Sequence, residues 1–174
     1  MITIICGTNR TNSVTKKVAI QYKEILKTHN TESVIIDLAD LPSDFIVSAL
    51  YERAGTNEDF NVFREIVDNS EKFVFIVPEY NGSFPGVLKA FVDGQNYPHA
   101  FKHKKCALVG ISSGSQGASI ALSHLTDIFN YAGMHVLANK PKLSKISNSM
   151  TGDRIEDDTY LNRLLLQAEE LIAF

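Results

Sequence analysis

Cysteine is scarce in this chain, and the two present, Cys6 and Cys106, each lie inside an apolar run. That excludes a disulfide scaffold and reads as two separate buried thiols; no C-x-x-C pattern suggests redox or metal chemistry. Long apolar runs are missing too. No stretch approaches the roughly 18 apolar residues that a membrane-spanning helix needs. Excess charge of one sign is also absent: 17 Lys and Arg against 20 Asp and Glu leave a formal net charge of −3. No strong field for nucleic acid or an anionic membrane results, and no basic stripe stands out. Met1 to Cys6 runs straight into Gly7, without a basic region followed by a long apolar one. A cytoplasmic location is expected. The histidines at 29, 99, 103, 124 and 135 are scattered without metal-ligand spacing, so no metal site is expected. Lys102-His103-Lys104-Lys105 reads as a solvated face.

What is present is core material in a regular order. The 174 residues are 44% hydrophobic, which suits one domain over 1–174. Apolar runs at 2–6, 33–38, 73–77, 106–111 and 135–138 read as strands. Helical spacing marks 14–28, Phe60 to about Ser70, Val87 to about Gln95, Ile120–Ala132 and Leu161–Ile172. Residues 40–56 read as an irregular connection and 140–153 as a polar loop. Strands alternating with helices predict a three-layer, doubly wound α/β fold. Its five parallel strands are expected in the order 2-1-3-4-5.

In such a sheet, ligands bind beyond the carboxyl ends of the strands, at the switch point between strands 1 and 3. Three turns rich in small polar residues fall on that edge. Gly7-Thr8-Asn9-Arg10-Thr11-Asn12-Ser13 precedes the first helix, where free N–H groups and the helix dipole favour an anion. Arg10 adds a planar donor fork. Lys16 and Lys17 occupy a first turn that normally takes acids, which fits a bound dianion; an ordinary cap with exposed lysines is the alternative. Neither G-x-x-x-x-G-K-[ST] nor G-x-G-x-x-G is present, so a mononucleotide phosphate fits better than a P-loop nucleotide or a dinucleotide. The second turn is Pro78-Glu79-Tyr80-Asn81-Gly82-Ser83-Phe84-Pro85-Gly86, and the third is Ser112 to Gly117. Together they suit the edge of a planar heterocycle held by main-chain groups.

The pattern G-[ST]-x-R-x-x-S at Gly7–Ser13 resembles the NADPH-dependent FMN reductase family. So does P-x-Y-N-x-[ST]-x-P-G-x-L-K-x-x-x-D at Pro78–Asp93, the more distinctive of the two. The Ser113–Gly117 turn is similar to that family's third flavin loop. The resemblance implies a flavodoxin-like fold, bound FMN, and electron transfer from NADPH or NADH to a flavin, quinone or similar acceptor by a ping-pong cycle. By position it implies that Thr8, Arg10, Ser13, Val14 and Thr15 hold the phosphate. Pro78, Glu79, Tyr80, Asn81 and Gly82 would line the ring, with Ser113, Gly114 and Gly117 beyond it. The cofactor carries the chemistry, so no catalytic side chain is expected. The resemblance also implies a homodimer or homotetramer, to which Phe84 and Tyr97 can contribute. Two departures stand out: Thr15 where the family often has Asn, and Gly94-Gln95-Asn96-Tyr97-Pro98 where a Trp commonly follows Asp93. The alternatives are a non-enzymatic flavodoxin-like electron carrier, and a flavin-free hydrolase or transferase using Glu79 as nucleophile.

Overall fold

Strand residues alternate between two faces, and here both faces are apolar, so the sheet must lie between helical layers. The computed structural model describes residues 1–174. The strands are β1 (Ile2–Cys6), β2 (Ser33–Asp37), β3 (Lys72–Pro78), β4 (Lys105–Ile111), β5 (His135–Val136) and β6 (Lys142–Leu143), with a hairpin of β7 (Met150–Thr151) and β8 (Arg154–Ile155). The helices are α1 (Val14–Thr28), α2 (Phe45–Ser48), α3 (Glu58–Asp68), α4 (Gly86–Asp93), α5 (Ser119–Tyr131) and α6 (Asp158–Ala173). The main sheet is parallel in the order β2-β1-β3-β4-β5, as expected, with Ile4 opposite Ile35 on one side and Val74 on the other. No helix is long and apolar enough to cross a membrane.

The period-two alternation sorts the core. Phe73, Phe75, Val77 and Leu108 face a cluster with Phe60 of α3, Leu88 and Phe91 of α4, and Phe129 of α5. Val74, Ile76, Ala107 and Val109 face the opposite cluster, with Val18, Tyr22 and Leu26 of α1 and Leu164, Ala168 and Leu171 of α6. Phe75 and Phe129 meet with ring centroids 4.5 Å apart.

Three stretches differ from the sequence expectation. The fifth strand, expected over 135–138, breaks after Val136, and the chain returns to β4 as β6. The reason lies in α6. Fully buried Gln167 donates through Nε2 to Leu108 O (2.9 Å) and Asn139 O (2.8 Å), occupying a ladder position that a continuous strand would use. Tyr22 Oη donates in turn to Gln167 Oε1 at 3.2 Å. The polar stretch 140–153, expected as loop, therefore holds β6, a 3-10 turn at Ile146–Ser149 and β7. Gln21 of α1 fixes the hairpin by bonding both the N–H and the C=O of Ile155, at 2.8 and 3.1 Å. The connection 40–56 likewise contains α2 and a 3-10 turn at Tyr51–Arg53.

The basic stretch before β4 is not merely solvated. Lys104 Nζ donates to Val67 O (2.7 Å) and Asp68 O (2.9 Å), satisfying carbonyls in the last turn of α3. Lys72 does the same for Leu171 O and Ile172 O of α6. A cation there also complements the negative end of the helix dipole.

Candidate functional site

Loop 1 leaves β1 at Gly7, whose N–H donates to Ile76 O at 2.9 Å. A Cβ at this position would lie 2.8 Å from that oxygen, so glycine is what lets the loop pass so close to β3. Ser13 then caps α1, its hydroxyl accepting from the Lys16 N–H at 3.2 Å. The N–H groups of Thr11, Asn12, Ser13, Val14 and Thr15 donate to no protein acceptor. Five free amides at the positive end of a helix suit a dianion such as phosphate. Arg10 is exposed beside them and takes part in no ion pair.

Lys16 and Lys17 are already partnered. Lys16 Nζ lies 3.0 Å from Asp37 Oδ2 and Lys17 Nζ 2.8 Å from Asp153 Oδ1. The hydrogen bond and charge of Asp37 raise the Lys16 pKa. The missing acid in the first turn of α1 is thus supplied from β2 and from the β7–β8 turn, so the two lysines need no ligand to explain them.

Loop 2 follows β3. Tyr80 and Ser83 exchange both backbone hydrogen bonds, at 2.8 and 2.9 Å, around Asn81 (φ 49°) and Gly82 (φ 75°). Positive φ at both central residues makes this a type I′ turn, which Asn-Gly fits without strain. Ser83 Oγ bonds His124 Nδ1 of α5 at 2.9 Å. Loop 3 follows β4. Ser112 Oγ donates to Gly114 O (2.8 Å) and accepts from Gly117 N–H (2.9 Å). The backbone of 143–146 pins this loop through Ser112 N to Leu143 O, Lys145 N to Gly114 O and Ile146 N to Ser112 O.

Two side chains of loop 2 join the three loops. Glu79 Oε2 accepts from the N–H of Ala118 at 3.1 Å. Ala118 is the left-handed cap of α5 (φ 60°, ψ 28°) and has no side-chain cap of its own. Tyr80 Oη meets Thr8 Oγ1 of loop 1 at 2.9 Å.

A cleft of about 330 Å³ lies between the loops. Of the residues expected at the site, Thr8, Arg10, Ser13, Val14, Thr15, Pro78, Glu79, Tyr80 and Ser113 line it. Asn81, Gly82 and Gly114 stand outside its walls, at the tips of their loops. Gly117 is buried and its N–H is engaged by Ser112, so it shapes loop 3 and offers no free donor. Thr11, Asn12, Ile111, Ser112, Ile146 and Ser147 complete the lining. The first four adjoin residues that the sequence pattern marks. Ile146 and Ser147 carry no local signal, because the pairing of β6 with β4 is what brings them there. His124 was unmarked for a similar reason: nothing in a helical spacing shows that it meets Ser83.

A second, larger groove of about 630 Å³ lies between α4, α5 and the segment 95–101. Tyr51, Tyr97 and Tyr131 rim it and are 74%, 79% and 85% exposed.

The model of the NADPH-dependent FMN reductase family matches residues 1–146, most of the chain and all three loops. The chain belongs to this family. As an FMN reductase family member it is an oxidoreductase by class. It is 28% identical over 145 residues to a 2-hydroxy-1,4-benzoquinone reductase of Burkholderia sp, covering 82% of this chain and 76% of that one. It is 34% identical over 129 residues to an FMN-dependent NADPH-azoreductase of Staphylococcus aureus. That match covers 70% of this chain and 65%, just under two thirds, of the azoreductase. Among solved structures, FerB, a flavoenzyme NAD(P)H:(acceptor) oxidoreductase from Paracoccus denitrificans, superposes with a TM-score of 0.83 at 20% identity. The superposition spans 99% of this chain and 94% of FerB, which shows the shared fold.

Proposed function

We propose that this family member binds FMN in the cleft between the three loops and passes electrons from NADPH or NADH to a small acceptor of quinone or azo type. What carries this reading is the row of five unpartnered amides beside the unpaired Arg10, at the head of a cleft on the switch-point edge of the sheet. That donor set fits a phosphate monoester. The cleft volume of about 330 Å³ falls within the range of small-molecule sites. The names of the quinone and azo reductases to which the chain is similar support the acceptor class.

Bound FMN would supply hydride acceptance and onward electron transfer in a ping-pong cycle. The protein's part is to hold and orient. The amides of Thr11–Thr15, the Arg10 guanidinium and the hydroxyls of Ser13 and Thr15 would fix the phosphate, with Thr8, whose hydroxyl is taken by the Arg10 N–H and the Tyr80 phenol, supporting the loop from behind. Pro78, Glu79 and Tyr80 would wall the ring, with Asn81 and Gly82 at its rim and Ser113 and Gly114 opposite. No proton-transfer side chain is needed. The buried Cys6 thiol is pushed up to about 12, by burial first and then by Asp37, which leaves it inert.

The groove between α4 and α5 is proposed to seat a second copy of the chain. Exposed aromatic clusters of this kind mark association surfaces. Of its charged lining residues, Lys89 on α4 is paired with Asp93 at 2.6 Å, and Asp127 lies on α5.

Anaerobic titration of the FMN-loaded protein with NADPH and with NADH tests the function. Bleaching of the flavin band, and its return on adding a quinone, is the expected result. A protein that gains no visible absorbance with added FMN overturns the reading. A yellow protein that neither nucleotide bleaches makes it an electron carrier instead.

A further inference from the structure

Glu79 and Tyr80 are neighbours in loop 2, yet they reach in opposite directions, one to loop 3 and the other to loop 1. The Tyr80 contact is the more consequential, because loop 1 has few ties of its own. Between the Gly7 N–H, fixed on Ile76 O, and the Ser13 cap, its internal bonds are Thr8 N to Cys6 O (2.8 Å) and Arg10 N to Thr8 Oγ1 (3.3 Å). Thr8 is 1% exposed. Its hydroxyl accepts from the Arg10 N–H on one side and shares a hydrogen bond with the Tyr80 phenol on the other. At the far end, Tyr80 is locked into the type I′ turn by both backbone bonds to Ser83. One buried hydroxyl thus stands between the anion loop and the ring-side turn.

We propose that Tyr80 is a positioning residue whose phenol, acting through Thr8, couples occupancy of the anion end of the cleft to the ring-side turn. A dianion on the amides of Thr11–Thr15 orders loop 1, which holds the Thr8 hydroxyl and Arg10 amide in place. The Tyr80 phenol then keeps its partner, and the turn bearing Pro78–Gly82 is held in its ring-binding form. Coupling between two ends of one site is reciprocal: whatever an anion does for the ring, the ring does for the anion. This inference rests on the FMN reading and adds how the two ends of that site communicate.

The test separates the two ends with riboflavin, which has the ring but no phosphate, and inorganic phosphate as the free anion. Flavin fluorescence quenching gives riboflavin affinity with and without phosphate at constant ionic strength. In the unmodified protein, phosphate is expected to tighten riboflavin about 3- to 10-fold, the range of one hydrogen bond's net worth. In Tyr80→Phe the gain falls to about onefold, and Thr8→Val does the same. The double variant loses nothing further, as expected for residues acting in series. Thermal melts of the ligand-free proteins check folding. A Tyr80→Phe protein that binds riboflavin more weakly but keeps the full phosphate gain overturns the coupling and leaves the FMN reading intact. So does additive loss in the double variant, which would place the phenol on the ligand and not on Thr8. Failure of the unmodified protein to bind either riboflavin or FMN overturns the FMN reading, and the coupling with it.

Discussion

Arg10 is a cation without a carboxylate, a few residues from lysines that each have one. That contrast assigns the three charges. Lys16 and Lys17 settle the start of α1 against Asp37 and Asp153, while Arg10 stays available. Charge-assisted hydrogen bonds are worth about 1.5–3 kcal/mol. Arg10→Ala is therefore expected to weaken FMN roughly ten- to a hundredfold while changing riboflavin affinity little. Fluorescence quenching with both flavins reads this directly; equal loss for both would remove Arg10 from the phosphate. The arginine and its loop were legible in the sequence because a free helix start is marked by local residue types. The lysine partners were not legible, since Asp37 and Asp153 come from distant parts of the chain.

At the scale of elements, Gln167 does what no periodic pattern announces. Helix α6 reads as an ordinary amphipathic segment with one glutamine in its buried face. That glutamine takes up Leu108 O and Asn139 O and accepts from Tyr22. Gln167→Leu keeps much of the volume but strands two carbonyls and a phenol, each orphaned buried group costing about 1–3 kcal/mol. A stability loss of about 3 kcal/mol or more is expected, read as a lower urea midpoint with an unchanged slope. The same residue explains where sequence reading stopped. The first four strands were plain, because their apolar runs are long and bounded by turns. The fifth was overextended, because the cause of its break lies on a helix some thirty residues downstream. With β6 unseen, Ile146 and Ser147 could not be placed at the cleft.

For the whole molecule, strand order and cleft follow from the βαβ repeat, whereas assembly does not. The groove between α4 and α5 is lined in part by the segment after Asp93. If two copies meet there, light scattering gives twice the chain mass at micromolar concentration. Tyr131→Asp, which sets a charge on the most exposed ring of the rim, is then expected to yield a monomer with unchanged melting behaviour. A monomer from the unmodified chain would count against the proposed pairing.

The break between β5 and β6 has a consequence for life in a crowded solution. The outermost position of a parallel sheet presents a row of free amides and carbonyls to any extended chain that drifts past, and an unbroken row invites accretion. Here that row is cut into two-residue pieces, with the chain bowed away between them. A passing strand finds no continuous template on this side. The glutamine that interrupts the ladder thereby also guards the protein against sticking to its own kind through this margin.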